Sequence, residues 1–232
     1  MALVPALAGA EAVAGVAAAS HAAAPSSPQQ LVRTAIGDAS SKASAHVVFV
    51  GAPLAVVAND DVGMHDGIQT AVFPKPDAGE LRAIVIGATA YVSARPSSLL
   101  AYAAGLPKAV AQKAGTRWVS IPSSSSLYSG VALDVTLPSE LATIQPTSDV
   151  VELAPSMFNG QRVIGIRGKT GPAAVGFTSV TVYLSQSAHP LPVYATFSGP
   201  HGIGQVDRFS KWGKRIAAAA PANAVSVASL GG

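Results

Sequence analysis

The sequence predicts an α+β domain built on one large antiparallel sheet. Valine-rich, strand-like segments occupy the first third of the chain, helical segments bounded by proline and glycine occupy the middle, and almost unbroken strand patterns follow Asp149. Strands, then helices, then strands in succession are typical of helices gathered on one side of an antiparallel sheet. The chain has 232 residues, of which 49% are hydrophobic, which suffices for one such domain.

The first third begins with a helix and continues with strands. We expect a helix over residues 28–42, because Pro28 suits a first turn and apolar residues recur after it at helical spacing. The segments "AHVVFVGA" and "LAVVAN" predict two strands. "DDVGMHDGIQTAVF" predicts a turn that opens another strand, and "GELRAIVIGATAYVSA" predicts a hairpin broken at Gly87.

The middle of the chain is predicted to be mainly helical. Residues 96–114 predict two short helices, since prolines occur at first-turn positions and glycines where helices would end. "RWVSIP" predicts a short strand, the serines at 123–126 a loop, and "VTLPSELATI" one more helix. No internal repeat and no second domain are expected after residue 30.

The last third predicts a strand meander. Five strand-like segments follow at intervals of about 10 to 16 residues; they are "VVELAPSMF", "QRVIGIRGK", "FTSVTVYLS", "LPVYATFSG" and "GQVDRFSKW". Asn159-Gly160 joins the first two as a preferred two-residue hairpin turn.

Composition excludes several classes of function. Charged residues make up 12% of the chain, about half the usual share, and the net charge is only +3. These values argue against a disordered protein and against a nucleic-acid binder with a basic stripe. The chain contains no cysteine, so disulfides, thiol catalysis and cysteine-based zinc sites are excluded. We expect no cofactor and no nucleic-acid partner.

Two groups of residues invite a chemical role, and a plainer interpretation stands beside each. Asp60, Asp61, His65 and Asp66 could ligate a metal, but they lack the EF-hand spacing and a solvated loop is the commoner arrangement. The serines at 123–126 and five histidines could form a hydrolytic triad, but no G-x-S-x-G motif is present. An unrecognised hydrolase is therefore kept as an alternative, and a non-enzymatic protein is expected.

The order of the segments resembles a known family. "IGATAYVSARPSSLLAYAAGLP" followed by "AGTRWVSIP", and "VTVYLSQSAHPLPVYATFSG" followed by "VDRFSKWGKRIAAAAP", are similar to actinobacterial envelope lipoproteins of the LppX/LprG type, which have the LolA-like fold. The resemblance covers about residues 30–225 and contains no catalytic signature. It implies a strongly curved antiparallel sheet, a half-open barrel, with helices packed on its concave face.

The resemblance also implies a role: binding or transport of lipid, acyl chains or lipoproteins in the cell envelope. An apolar cavity between sheet and helices would be needed for this. The expected lining residues are apolar strand and helix residues, which an ordinary filled core would use equally well: Ile84, Ile86, Leu99, Leu100, Tyr102, Leu106, Ile164, Ile166, Val180, Val182 and Leu184. An envelope protein that binds a protein partner without a lipid cavity remains an alternative. A monomer is favoured.

Residues 1–30 form a separate compositional block that predicts an export leader and a flexible linker, with residues 31–232 as the single domain. The block is rich in alanine and the first cation of the chain is Arg33. Leu7-Ala8-Gly9 matches the start of a bacterial lipobox, but Ala10 stands where the lipidated cysteine would be, so a lipid anchor is in doubt. A remnant of a lipoprotein signal and a chance match both remain open. We expect export to the cell envelope.

The segment "VDRFSKWGKRIAAAAP" contains four cations and is interpreted as the closing strand of the sheet. Alternation places Val206, Arg208 and Ser210 on one face and Asp207, Phe209 and Lys211 on the other. Its cations are expected at a solvated edge, where lysine discourages edge-to-edge pairing. Alternatively, they contact anionic lipid headgroups at a membrane surface; these cations are Arg208, Lys211, Lys214 and Arg215.

Overall fold

The computed structural model describes residues 27–52, 55–74, 79–102, 106–133 and 135–231. Within these ranges there are five α-helices and thirteen strands. The helices are α1 (Pro28–Ser41), α2 (Pro96–Tyr102), α3 (Lys108–Ala114), α4 (Ser126–Ala132) and α5 (Leu137–Thr143). The strands are β1 (Ser44–Ala52), β2 (Val56–Gly63), β3 (Asp66–Phe73), β4 (Gly79–Ile86), β5 (Thr89–Ser93), β6 (Val119–Pro122), β7 (Ser148–Glu152), β8 (Ser156–Phe158), β9 (Gln161–Lys169), β10 (Ser179–Ser185), β11 (Pro192–Ser198), β12 (Gly204–Ser210) and β13 (Val225–Ser226).

All of these strands belong to one curved sheet that does not close. The strand order is β13-β6-β5-β4-β3-β2-β1-β12-β11-β10-β9-β7, and β8 pairs with β9 beside this path. Every pairing between the named strands is antiparallel except that of β13 with β6. The predicted fold class, an α+β half-open barrel with a large antiparallel sheet, is confirmed.

Strand β12 lies in the middle of the sheet. The sequence predicted it as the closing strand, with its cations at a solvated edge. It pairs with β1 on one side and with β11 on the other. The reason is topological: β1–β6 and β7–β12 form two consecutive meanders, and β1 and β12 are the strands through which the two meanders join. The alternation within β12 is as expected, with Asp207 and Phe209 buried and Arg208 and Ser210 exposed.

Two local predictions in the middle of the chain need correction. The segment expected to be a turn, "DDVG", forms the end of β2, because its residues continue the inward–outward alternation of that strand. Of the serines expected in a loop, those at 123–125 lie in a turn but Ser126 begins α4, where the Ser125 side chain accepts a hydrogen bond from the Leu127 N–H at 3.3 Å and caps the helix.

Helix α1 and the β8–β9 hairpin form where their local sequences predict. The Ser27 hydroxyl accepts from the Gln30 N–H while the Gln30 side chain accepts from the Ser27 N–H, a reciprocal capping box. At the hairpin, Asn159 and Gly160 have φ values of 47° and 79°, the pair of positive values that a type I′ turn requires.

The helices cover one face of the sheet, which we call the inner face, and bury two apolar clusters against it. The first cluster joins β2–β6 to α2, α3 and α4. The second joins β1 and β9–β12 to α1 and α5. The opposite side of the sheet, which we call the outer face, carries the alternate residues of each strand.

Small side chains line the inner face under the first cluster. Ala58, Ala71, Ala83 and Ala90 lie on four neighbouring strands, and each is at most 2% exposed. Ala58 and Ala71 are directly opposite each other in the register of β2 and β3. Alanine at these positions leaves the volume between sheet and helices to be filled by helix side chains or by a ligand.

The β8–β9 turn provides a test of the hairpin geometry. We expect Gly160→Ala to lower the free energy of unfolding by about 1–2 kcal/mol, because an L-residue pays that much in the left-handed region. Gly37→Ala is the matched control: Gly37 lies inside α1 with open space around its Cβ position, and the change should raise stability by about 0.5–1 kcal/mol. Urea denaturation measures both, and equal effects of the two changes would contradict the assigned turn.

Candidate functional site

Most of the residues expected to line a lipid site lie on the inner face or on the helices that cover it. Ile166, Val180, Val182 and Leu184 are at most 1% exposed and belong to the second cluster, with Ile164 partly buried against them. Leu99 and Leu106 are buried in the first cluster, and Leu100 packs against it.

The residues of this set on β9 and β10 form a continuous apolar wall. Val182 is opposite Ile166 and Leu184 is opposite Ile164 in the register of β10 and β9. Because these cross-strand partners share one face, their side chains are in reach of each other.

Three residues of the set fall elsewhere. Ile84 and Ile86 are half-buried on the outer face of β4, since Leu81, Ala83 and Val85 take the inward positions of that strand. The side chain of Tyr102 lies outside the described residues. Which residues of β4 face inward could not be predicted from the sequence, because both faces of the strand carry isoleucine, leucine or valine.

Four of the five helices over the inner face are short. Helices α2, α3, α4 and α5 each contain seven residues. Isolated helices shorter than about 12–15 residues are marginal in water, so these four depend on packing against the sheet.

Buried polar pairs interrupt the inner face where the two apolar clusters meet. Gln69 Nε2 donates to Asp60 Oδ2 at 3.2 Å, and the two residues are 1% and 2% exposed. On the far side of β1, Gln205 Nε2 donates to Asp207 Oδ1 at 2.8 Å, and Asp207 is 1% exposed. Burial of a carboxylate is costly unless hydrogen bonds compensate, which accounts for the pairing.

The sequence predicted Asp60 only as a possible metal ligand or a loop residue, and neither buried pair was expected, although the alternation indicates both carboxylates. Asp60 continues the inward series of Val56 and Ala58 along β2. Asp207 shares its phase with Phe209 on β12. A carboxylate at an inward-facing strand position indicates a buried polar contact, and both aspartates stand at such positions.

The outer face carries a stack of three aromatic rings. The rings of Tyr183 and Tyr194 are 4.0 Å apart, and those of Tyr194 and Phe158 are 4.2 Å apart. Gly165 stands opposite Tyr183, where an added Cβ would come within 3.0 Å of the ring, so the glycine makes room for the stack. Burial, and secondarily the neighbouring Tyr183, raise the pKa of Tyr194 to about 12.

The four cations expected to meet lipid headgroups are all exposed. Arg208 is on the outer face of β12, opposite Tyr194. Lys211, Lys214 and Arg215 follow in the turn after β12, which is held to the start of β1 because Ser44 Oγ donates to the Lys214 carbonyl at 2.7 Å. Within the described ranges, none of the four forms an ion pair.

The two candidate metal ligands at the end of β2 point to opposite faces of the sheet. Asp60 faces inward and Asp61 outward, and the described residues contain no group of three or more metal-ligating side chains. Of the hydrolase candidates, His46 pairs with Asp61, with 2.8 Å between His46 Nδ1 and Asp61 Oδ1, whereas the serines at 123–126 lie in the turn after β6 and at the start of α4. No hydrogen bond joins these serines to a histidine in the part of the chain that the structure describes.

Comparison with known proteins identifies the fold. The chain is similar to LprF from Mycobacterium bovis, with a TM-score of 0.56 and 14% identity over 84% of this chain and 97% of that one. It is similar to the Mycobacterium tuberculosis lipoprotein LppX, with a TM-score of 0.51 and 15% identity over 83% and 98%. A LolA superfamily protein from Nitrosomonas europaea superposes more loosely, with a TM-score of 0.31 and 11% identity over 80% and 92%. The two structures with TM-scores above 0.5 confirm the expected fold, that of LppX-type proteins.

No relative of this chain is found by sequence. No family model matches the chain, and no curated protein matches it at a significant level. Among the described residues, no helix is both long enough and apolar enough to cross a membrane.

The raised pKa of Tyr194 gives a prediction for alkaline pH. The pKa of an unfolded tyrosine is near its ordinary value of 10.0, below the pKa of about 12 in the folded protein. The unfolded state therefore loses its proton first, and the stability contributed by the neutral phenol is present below pH 10 and lost as the pH rises toward 12. Ultraviolet titration should show this late tyrosinate signal and its absence in Tyr194→Phe.

Tyr183→Phe separates the two causes of the shift. Removing the Tyr183 hydroxyl should lower the pKa of Tyr194 only in part, because burial is the larger cause. Tyr91→Phe, which changes a tyrosine outside the stack, is the control and should leave the late signal in place. A late signal unchanged by Tyr194→Phe would contradict the assignment.

Proposed function

We propose that this protein binds a lipid, an acyl chain or the acylated end of a lipoprotein and carries it in the bacterial cell envelope, without catalysing a reaction. The observation that carries the proposal is the inner face: a curved, mostly apolar wall on a sheet that does not close, partly lined by alanine and covered by helices of which four are short. The similar fold of LppX, a lipoprotein, supports it.

An apolar wall is sufficient for affinity toward an acyl chain. Burial of one methylene is worth about 0.8 kcal/mol, so ten methylenes would contribute about 8 kcal/mol before the costs of association. The side chains proposed to supply this surface are those that the structure brings to the interior, namely Leu99, Leu100, Leu106, Ile164, Ile166, Val180, Val182 and Leu184.

Entry of the ligand requires that the cover move. In our proposal, α2 and α3 separate from β2–β5, where Ala58, Ala71 and Ala83 offer the smallest side chains. The buried pairs Asp60–Gln69 and Gln205–Asp207 would then mark where a polar group of the ligand is held.

Export and membrane contact belong to the same proposal. The alanine-rich residues 1–30 are interpreted as an export leader and linker. Arg208, Lys211, Lys214 and Arg215 would meet anionic headgroups while the ligand is transferred, because all four are exposed and outside the ion pairs of the described chain.

A second candidate function, binding of a protein partner, has one observation in its favour. Val50, Val57 and Val72 are directly opposite one another on β1, β2 and β3, and are 37%, 37% and 51% exposed on the outer face. Exposed apolar groups in a row favour a partner surface. Lipid binding is preferred because the inner face is far larger and more apolar.

Ala71→Leu tests the lipid site. If the interior holds a ligand, the added side chain takes its place: bound lipid falls severalfold and stability changes little. If the interior is an ordinary filled core, overpacking instead lowers stability by about 1–3 kcal/mol. Native mass spectrometry of protein reloaded with palmitate measures occupancy, and thermal unfolding measures stability.

Thr70→Leu is the control, because Thr70 is adjacent in β3 but directed to the outer face. Its palmitate occupancy should match that of the unchanged protein. Absence of bound palmitate in the unchanged protein, together with destabilisation of the Ala71 variant, would reject the proposed function.

The headgroup contact is tested by changing Arg208, Lys211, Lys214 and Arg215 to glutamine. Each cation near an anionic membrane is worth about 1 kcal/mol, so binding to vesicles containing phosphatidylglycerol should weaken by about 1,000-fold. The control changes Arg33, Lys108, Arg162 and Arg167, four exposed cations elsewhere, to glutamine. Equal vesicle binding by both variants in flotation assays would overturn the assignment.

A further inference from the structure

We infer that an open cleft on the outer face, over β4–β6, is a binding site for the pyranose ring of a sugar. The cleft has a volume of about 240 Å³ and is lined by Glu80, Arg82, Ser93 and Trp118. It is on the side of the sheet opposite the proposed lipid site, and does not depend on that proposal.

The cleft forms because neighbouring side chains in one cross-strand row differ in size. Arg82 is opposite Ser93 in the register of β4 and β5. Trp118 directly precedes β6, where Val119 is opposite Val92, so Trp118 continues the row beyond Ser93. A small serine between two large side chains leaves a depression with Ser93 as its floor and the other two residues as its walls.

The backbone that carries Trp118 is held in place before any ligand arrives. The Trp118 carbonyl accepts from the Val225 N–H at 2.8 Å, which ties it to β13. Ser93 Oγ donates to the Thr116 carbonyl at 2.9 Å, and Arg117 Nε donates to the Ala114 carbonyl at 3.1 Å. A platform fixed in advance loses little conformational entropy on binding.

The polar groups of the cleft suit a neutral ligand with many hydroxyls. Glu80 and Arg82 form an ion pair on one edge, so the site presents both an acceptor and donors with no net charge. Because the two charges offset each other, the cleft has no net attraction for an anion or for a cation. A pyranose ring offers hydroxyls that donate and accept in its plane, and an apolar C–H face that packs on an aromatic ring.

The size of the cleft limits the ligand to a single ring. Pockets for drug-sized ligands have volumes of about 300–1,000 Å³, and this cleft is smaller. Because it is open to solvent, the remaining units of a longer glycan could extend away from the protein.

Saturation-transfer NMR on the full chain tests the inference, with methyl glucoside, methyl mannoside and methyl galactoside as probes. We expect transfer to at least one of them. Trp118→Ala should weaken the binding of that probe about tenfold, because it removes the stacking surface. Ser93→Leu, which fills the floor while Trp118 is kept, should abolish transfer even if the tryptophan variant folds poorly.

Arg167→Gln is the matched control, since Arg167 is exposed on the outer face of β9, far along the sheet order from the cleft. Its sugar binding should equal that of the unchanged protein. The inference is overturned if no pyranoside shows transfer, if Ser93→Leu leaves transfer intact, or if uridine monophosphate binds in a Trp118-dependent manner while the sugars do not. Palmitate occupancy of Ser93→Leu should stay normal, which separates this result from failure of the lipid proposal.

Discussion

The pairing of β1 on both of its edges is the constraint on which the rest of the structure depends. β1 joins β2 on one side and β12, more than 150 residues later, on the other. This long-range contact merges two local meanders into one sheet that is wide enough to curve around the helices. Without it, each meander would have an exposed edge and an apolar face too large for the short helices to cover.

The two faces of that sheet offer different chemistry. The inner face combines two apolar clusters with hydrogen-bonded polar pairs, Asp60–Gln69 and Gln205–Asp207, on strands either side of β1. The outer face carries an aromatic stack, a valine row and the Trp118 cleft. In the proposed function, the inner face holds the apolar part of a ligand, while the cations after β12 face the membrane. A sugar site on the outer face would let the protein contact two kinds of molecule at once.

Local signals predicted most of the elements but fewer of the site residues. The start of α1 at Ser27 and the Asn159-Gly160 turn could be predicted, because each depends on a few adjacent residues. Ile84 and Ile86 were assigned to the interior because β4 is apolar on both faces, and only pairing with β3 and β5 decides its phase. Asp60 was predicted to lie in a loop, but it is in β2, is 2% exposed and is hydrogen-bonded to Gln69 of β3. Prediction failed where a residue's environment is made by strands and helices from elsewhere in the chain.

The sequence by itself determined the fold class, the positions of most strands and helices, and the inward–outward phase of β12, because alternation, capping and turn chemistry act within a few residues. It also excluded thiol chemistry and a basic nucleic-acid stripe through composition alone. Only the tertiary structure decided the central place of β12, the joining of the two meanders, and the face on which each apolar or charged residue lies. These depend on which strands become neighbours, a choice made by burial of the whole inner face that no single segment encodes.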